Sequence, residues 1–89
     1  AQSRLAIAQL HLDAADPDAA SRVLEVFHFE APASEEQRAL LEARRGEIAR
    51  LRGELADASR LAADALAMAQ RSGSLPAQLE ARALAVRLA

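Results

Sequence analysis

The chain has 89 residues and contains no Cys, Lys, Thr, Asn, Tyr or Trp; Phe27 and Phe29 are its only aromatics. Without Cys there is no disulfide, no thiolate chemistry and no Cys-based zinc site, and redox usage gives no compartment. Strand formers are equally scarce. Ile7, Val23, Val26, Ile48, Val86 and the two Phe are the only ones, too few to cover a pleated surface, so no sheet is expected. The uncharged stretches are Ala-rich and well short of the roughly 20 apolar residues of a membrane span. No basic, apolar and small-residue succession marks a signal peptide. Every basic residue is Arg, which fits a GC-rich coding bias. Eleven Arg against thirteen acids leave a net charge of −2, which argues against a nucleic-acid binder.

What is present forms helices. Ala occurs 24 times and Leu 14 times, and with Arg, Glu and Gln they make a helix-former's composition. A chain this short hides only about two-thirds of its unfolded surface, so stability must come from close helix packing over Ala. The sequence opens without Met and stops inside a helical pattern at Ala89. It reads as a segment of a longer protein, with the cytoplasm as default location.

Breakers divide the chain into five helical segments. The first spans about Gln2 to Ala15, with Leu5, Ala8, Leu12 and Ala15 along one face. Asp16-Pro17 stops it and starts the second: Asp16 caps free amides, and Pro17 sits where its missing N–H costs nothing. The second carries Ala20, Val23, Leu24 and Phe27 on one stripe and fades near His28, before Ala31-Pro32. Ser34-Glu35-Glu36-Gln37 predicts a capping box. The third helix then runs to about Arg52, where Gly53 supplies a left-handed cap. Glu54 starts the fourth, whose Leu55, Ala58, Ala62, Ala65 and Ala69 form a smooth face that lets a neighbour come close. Ser72-Gly73-Ser74 ends it, and Leu75-Pro76 opens the fifth. Short connections make consecutive helices antiparallel neighbours.

The sequence also compares with itself. Displacing the chain along itself until Ala20-Ser21-Arg22-Val23 falls on Ala58-Ser59-Arg60-Leu61 also brings Ala15-Asp16 onto Gly53-Glu54. The same displacement places Ala8 on Gly46 and Leu10 on Ile48, and its repetition carries Leu10 to Val86; Ala1-Gln2 returns as Ala77-Gln78 at twice the period. Each unit is a helix pair that cannot bury its apolar face alone and is stabilised by stacking.

Gly53-Glu54-Leu55-Ala56-Asp57-Ala58, then Ala62, then Ala65-Leu66, resembles the second half of a tetratricopeptide repeat. Gly46 matches that family's small residue where its two helices cross. Ile7, Ala8, Asp16, Ala20, Leu24 and Pro32 match in the first unit, while Phe27 stands where the family prefers Ala and Ala15 replaces the turn Gly. The period from Ala20 to Ala58 is longer than the family's usual one, a surplus assigned to the Phe29–Ser34 connection. The resemblance implies an all-α fold of antiparallel helix hairpins in a right-handed solenoid. Its units are 1–33, 34–72 and a partial repeat or capping helix at 73–89. It also implies a groove lined by first helices, whose contact positions fall on Gln2, Leu5, Gln9, Leu12, Ala43, Glu47 and Arg50. Co-chaperone members hold a carboxylate tail with Lys and Asn, and this chain has neither. Similar Ala- and Arg-rich arrays occur inside large bacterial regulators and signalling proteins.

The third helix carries Arg38, Arg44, Arg45, Arg50 and Arg52 against Glu42 and Glu47. Two readings stand: a cationic groove for an acidic peptide, or a solvated face braced by Arg38–Glu42, Glu42–Arg45 and Arg50–Glu54 pairs. His11 and His28 sit on different helices without an i, i+4 partner, so no metal-ligand set forms. Asp57 and Asp64 flank Arg60 at pairing distance, and the six Ser read as caps or surface residues. No nucleophile elbow, phosphate loop or zinc-protease motif occurs. Neither enzyme activity nor a cofactor is expected. Of Phe27 and Phe29, one enters the core and the other either anchors a partner or packs the connection. The fifth helix is nearly all apolar, so further repeats or a second copy are expected to cover it, with self-association through Leu84 and Leu88.

Two functions follow. One is a protein-binding scaffold that presents first-helix side chains to another protein or peptide, without nucleic-acid or membrane partners. The other is a regulatory or dimerising segment of a bacterial transcriptional regulator or signalling protein.

Overall fold

The computed structural model describes the backbone of residues 2–30 and 34–89 and the side chains of 4–26 and 34–89. It is all-helical in these residues, with α1 (Gln2–Asp13), α2 (Pro17–Glu30), α3 (Glu35–Leu51), α4 (Leu55–Ser72) and α5 (Leu75–Leu88). Local chemistry sets the boundaries much as the sequence predicts. Asp16 Oδ1 accepts the Ala19 amide at 3.2 Å ahead of α2. Ser34 and Gln37 complete a capping box at α3, and Ser74 Oγ caps α5 through the Ala77 amide. Two boundaries differ. α1 stops at Asp13, and α2 continues through His28 to Glu30, so Phe29 belongs to the helix rather than to the connection.

The turn inside each hairpin is the same object built twice. Ala15 and Gly53 both adopt left-handed backbone, with φ of 57° and 79°. Asp16 N–H donates to His11 O at 2.8 Å, and at the equivalent place in the second hairpin Glu54 N–H donates to Ala49 O at 2.8 Å. The two inner bonds, Ala15 to Leu12 and Gly53 to Arg50, match as well, at 2.9 and 3.0 Å. This doubled bond pattern satisfies the last carbonyls of α1 and α3 and reverses the chain. The residues after the turns also share surroundings. Ala20 and Ala58 are fully buried, and Leu24 and Ala62 nearly so.

The helices form two layers in a slab about 18 Å thick, close to two helix diameters. Among the described residues α3 touches each of the other four helices, whereas neither α1 nor α2 contacts α4 or α5. α1, α3 and α5 lie side by side in one layer, and α2 and α4 make the other. Three apolar clusters fill the joints. Leu5, Ala8 and Leu12 of α1, with Ala20 and Leu24 of α2, receive Leu41 and Ile48 of α3. Ala39 meets Ala69 and Ala77, and Ala43 meets Ala65 and Ala81. Residue numbers rise on α3 as they fall on α4, which makes the pair antiparallel. Gly46 continues the seam: a Cβ there would stand 3.3 Å from Leu61 Cβ and 2.5 Å from Leu84 Cδ2.

Two expectations are corrected. Leu55 does not join the packed face of α4: it is 58% exposed, because the first turn of α4 lies past the end of α3. The offset that relates the two hairpins also fails between α3 and α5. Ile48 is buried while Val86 is exposed; Leu10 is exposed as well, so the burial match between the two hairpins does not extend to this position. Matching the caps Ser34 and Ser74 gives a slightly longer offset instead, which carries the inward Leu41, Arg44 and Ile48 onto Ala81, Leu84 and Leu88. The added length has a plain source: α4 has 18 residues where α2 has 14, and the connection is shorter.

Candidate protein-interaction surfaces

Three surfaces qualify by shape or chemistry. The first is the solvent side of the α1–α3–α5 layer. Gln9, Glu47 and Arg87 occupy equivalent positions on these helices, each one unit on from the last. Glu47 is the hub. Arg50 holds it with two bonds, Nε at 2.8 Å and Nη2 at 2.7 Å, and Arg87 approaches it at 3.4 Å. The Arg50 bonds keep the Glu47 carboxyl below the ordinary carboxylate range against the opposing effect of burial, and the same bonds push the Arg50 guanidinium upward. Gln9 Nε2 donates to Asp13 Oδ1 at 2.8 Å. This surface therefore offers pre-oriented, paired polar groups.

Beneath it lies Arg44, the one buried charged residue among those described. Its Nε donates to the Leu5 carbonyl at 3.0 Å, and its Nη1 reaches Glu80 at 2.7 Å and the Leu40 carbonyl at 3.3 Å. One side chain on α3 thus ties together α1 and α5. The sequence places Arg44 with the other third-helix arginines, in a cationic groove or on a solvated face, and its burial takes it out of both. Its only signal was a charge interrupting the apolar row Leu41–Ile48.

The residues assigned to the groove divide between surface and core. Glu47 and Arg50 meet on the surface, with Gln9 on the neighbouring helix. Leu5, Leu12 and Ala43 are buried at 3%, 5% and 5% exposure, so they build the joints and present no side chain to a ligand. The side chain of Gln2 lies outside the described residues, as do those of Phe27, His28 and Phe29. Of the bracing pairs, Glu42–Arg45 forms at 3.0 Å, while Arg50 turns to Glu47 instead of Glu54. That choice follows from the chain: Glu54 lies beyond the turn, whereas Glu47 is one helical turn away.

The second surface is a cleft of about 200 Å³ where α2 and α4 stand apart over α3. Ile48 and Ala49 form its floor, with Arg45, Arg52, Asp57 and Arg60 around it. Arg52 crosses to Asp18 of α2 at 2.6 Å, and Arg60 lies 3.6 Å from Asp64. The third is the outer side of α5, where Leu75, Leu79 and Val86 are exposed. Leu84, expected to drive self-association, is 2% exposed and packs against Gly46. It faces inward because its neighbours Ala77 and Ala81 fit the α3–α4 seam.

No described helix is long and apolar enough to cross a membrane. Among the described residues no three His, Cys, Asp or Glu side chains gather as a metal site. No family model matches the sequence, and no curated protein or solved structure matches it.

Proposed function

We propose that this chain is a tetratricopeptide-like helical-repeat scaffold that binds a segment of another protein on the solvent side of the α1–α3–α5 layer. The observation that carries this reading is the double hairpin: two turns with matching bonds at equivalent positions, each hairpin touching only its neighbours. That is the contact pattern of a solenoid. α1 and α5 each pack against α3, while α2 and α4 make no contact with each other among the described residues, so the strip curves toward the first-helix side and makes it concave.

On that side Gln9, Glu47, Arg50 and Arg87 do the recognising. Gln9 both donates and accepts, which suits the backbone amides of an extended segment. Arg50 and Arg87 retain guanidinium N–H groups beyond those spent on Glu47, and these favour carboxylate or carbonyl oxygens of the ligand. Leu5, Leu12 and Ala43 act from below by fixing the spacing of the helices. A preformed surface of this kind binds without ordering cost on the scaffold side. The chain performs no chemistry in this reading and needs no cofactor.

A peptide array probed with the purified chain tests it. Bound sequences should lose about tenfold in affinity with Arg50→Glu or Gln9→Ala, and Arg60→Glu in the other layer should change nothing. Circular dichroism must remain unchanged in all three variants. An array without hits, or hits indifferent to Arg50 and Gln9, would remove this face from consideration.

A further inference from the structure

The outer side of α5 is as apolar as its packed side. Leu75, Leu79 and Val86, at 69%, 65% and 74% exposure, share one side of the helix with Ala83. The rest of the molecule shows what such a side accommodates. With α3 and α5 aligned on their Ser caps, Leu79, Ala83 and Val86 take the positions of Ala39, Ala43 and Gly46. Those three lie under α4, against Ala69, Ala65 and Leu61. The corresponding side of α1 packs with Ala20 and Leu24 of α2. In both hairpins the cover is a second helix carrying small residues at the seam.

A separate feature leads to the same place. The cleft over α3 is bordered by Ser21, Arg45, Ile48 and Ala49, and α4 closes its far side with Leu61. A groove between α4 and α5 is bordered by Ser59, Ala85, Leu88 and Ala89, the matching positions one unit on. It measures about 360 Å³ against about 200 Å³ and is walled by α4 and α5 alone. A helix laid across Leu79 and Val86 would wall this groove as α4 walls the first.

Charge narrows the choice of occupant. Arg82 stands at the edge of the row midway between Leu79 and Val86, exposed and without an ion pair among the described residues. Two copies joined by this row about a twofold axis at its middle, between Leu79 and Val86, would set Arg82 against Arg82. A foreign helix with a carboxylate at that point meets no such repulsion.

We propose that the outer side of α5 and the adjoining α4–α5 groove form a docking site for an amphipathic α-helix of a partner protein. The helix runs antiparallel to α5 and presents small residues at i, i+4, i+7 and i+11, the spacing of Ala58, Ala62, Ala65 and Ala69. Leu79 and Val86 seat as knobs on that smooth row, and a partner Asp or Glu faces Arg82. This site stands on a different face from the peptide surface proposed above and does not depend on it.

The test uses the whole chain with a fluorescent synthetic peptide of the α4 sequence, Leu55–Ser72, read by anisotropy, with sedimentation velocity alongside. Saturable binding is expected. Leu79→Glu and Val86→Glu should weaken it about tenfold or more, and Arg82→Glu by several-fold. Leu10→Glu, at the opposite end of the molecule, should leave it unchanged. All four positions are exposed, so circular dichroism should match the parent chain. The proposal is overturned by no saturation up to about 1 mM, or by binding indifferent to Leu79 and Val86. A dimer that Val86→Glu dissolves would also overturn it, because the row would then belong to a second copy.

Discussion

At Gly46 three helices meet over one α-carbon, and absence of a side chain is what permits it. Replacing Gly by Ala inside a helix favours folding by about 1 kcal/mol. Here the added methyl collides with Leu84, itself enclosed, and presses on Leu61. Overpacking of this kind costs about 1–3 kcal/mol, so Gly46→Ala should lower stability by about 1 kcal/mol net in urea unfolding, and Gly46→Leu by more than about 3 kcal/mol. Ala15 shows the opposite case. It holds a left-handed conformation that strains a residue with a Cβ, and it is exposed. Ala15→Gly should therefore raise stability by about 0.5–1 kcal/mol, and Gly53→Ala should lower it by a similar amount. A change of the same sign in both variants would contradict this account.

Helices here are joined by charge as well as by apolar contact. Arg44 is the fastener between α1, α3 and α5. Its removal leaves Glu80 hydrated on its exposed side but deprives the Leu5 carbonyl of a donor, so Arg44→Ala should cost about 2 kcal/mol. Arg44→Lys should recover little, because an ammonium cannot reproduce the fork that spans both acceptors. A double-mutant cycle with Glu80→Gln would isolate the pair. Glu47 gives a pH signature. Its carboxyl titrates below the ordinary glutamate value of about 4.3. Its contribution is therefore complete above that value and disappears as pH falls through the lowered one. Glu47→Gln should lose about 1 kcal/mol at neutral pH, with the two unfolding curves converging in acid. A constant gap down to the lowest pH would show that the carboxylate is not the source.

Across the whole molecule, stability should grade along the strip. α3 packs on every other helix, and α4 fits it through four Ala on a narrow seam. Among the described residues the α1–α2 hairpin reaches the rest through α3 and its C-cap Arg52. Native-state hydrogen exchange should find the slowest amides in α3 and α4 and a lower opening free energy in α1 and α2. Uniform protection over all five helices would show a single cooperative unit instead. Leu10 on α1 and the row Leu75, Leu79 and Val86 on α5 are exposed.

The local chemistry of the chain was sufficient for its helices. Lack of β-branched and aromatic residues dictated an all-α fold, and Asp16-Pro17, Ser34-Gln37 and the turn at Gly53 placed most boundaries. These are effects of a residue on its own backbone, and they act within one turn. The recurrence of the turn at Ala15 was also readable, since the bonding needs only the local left-handed residue. Which side of α5 faces inward was not readable. Leu79 and Val86 equal Leu84 in apolarity, and only the fit of Ala77, Ala81 and Leu84 against Ala39, Ala43 and Gly46 decides between the two sides. The same holds for Leu5, Leu12 and Ala43, assigned to a groove by resemblance and taken into the joints by packing. Arg44 could be understood only once α1 and α5 stood on either side of it. Hydrogen bonding along the backbone belongs to the sequence; the choice between two equally apolar faces belongs to shape, and shape exists only after the helices have met.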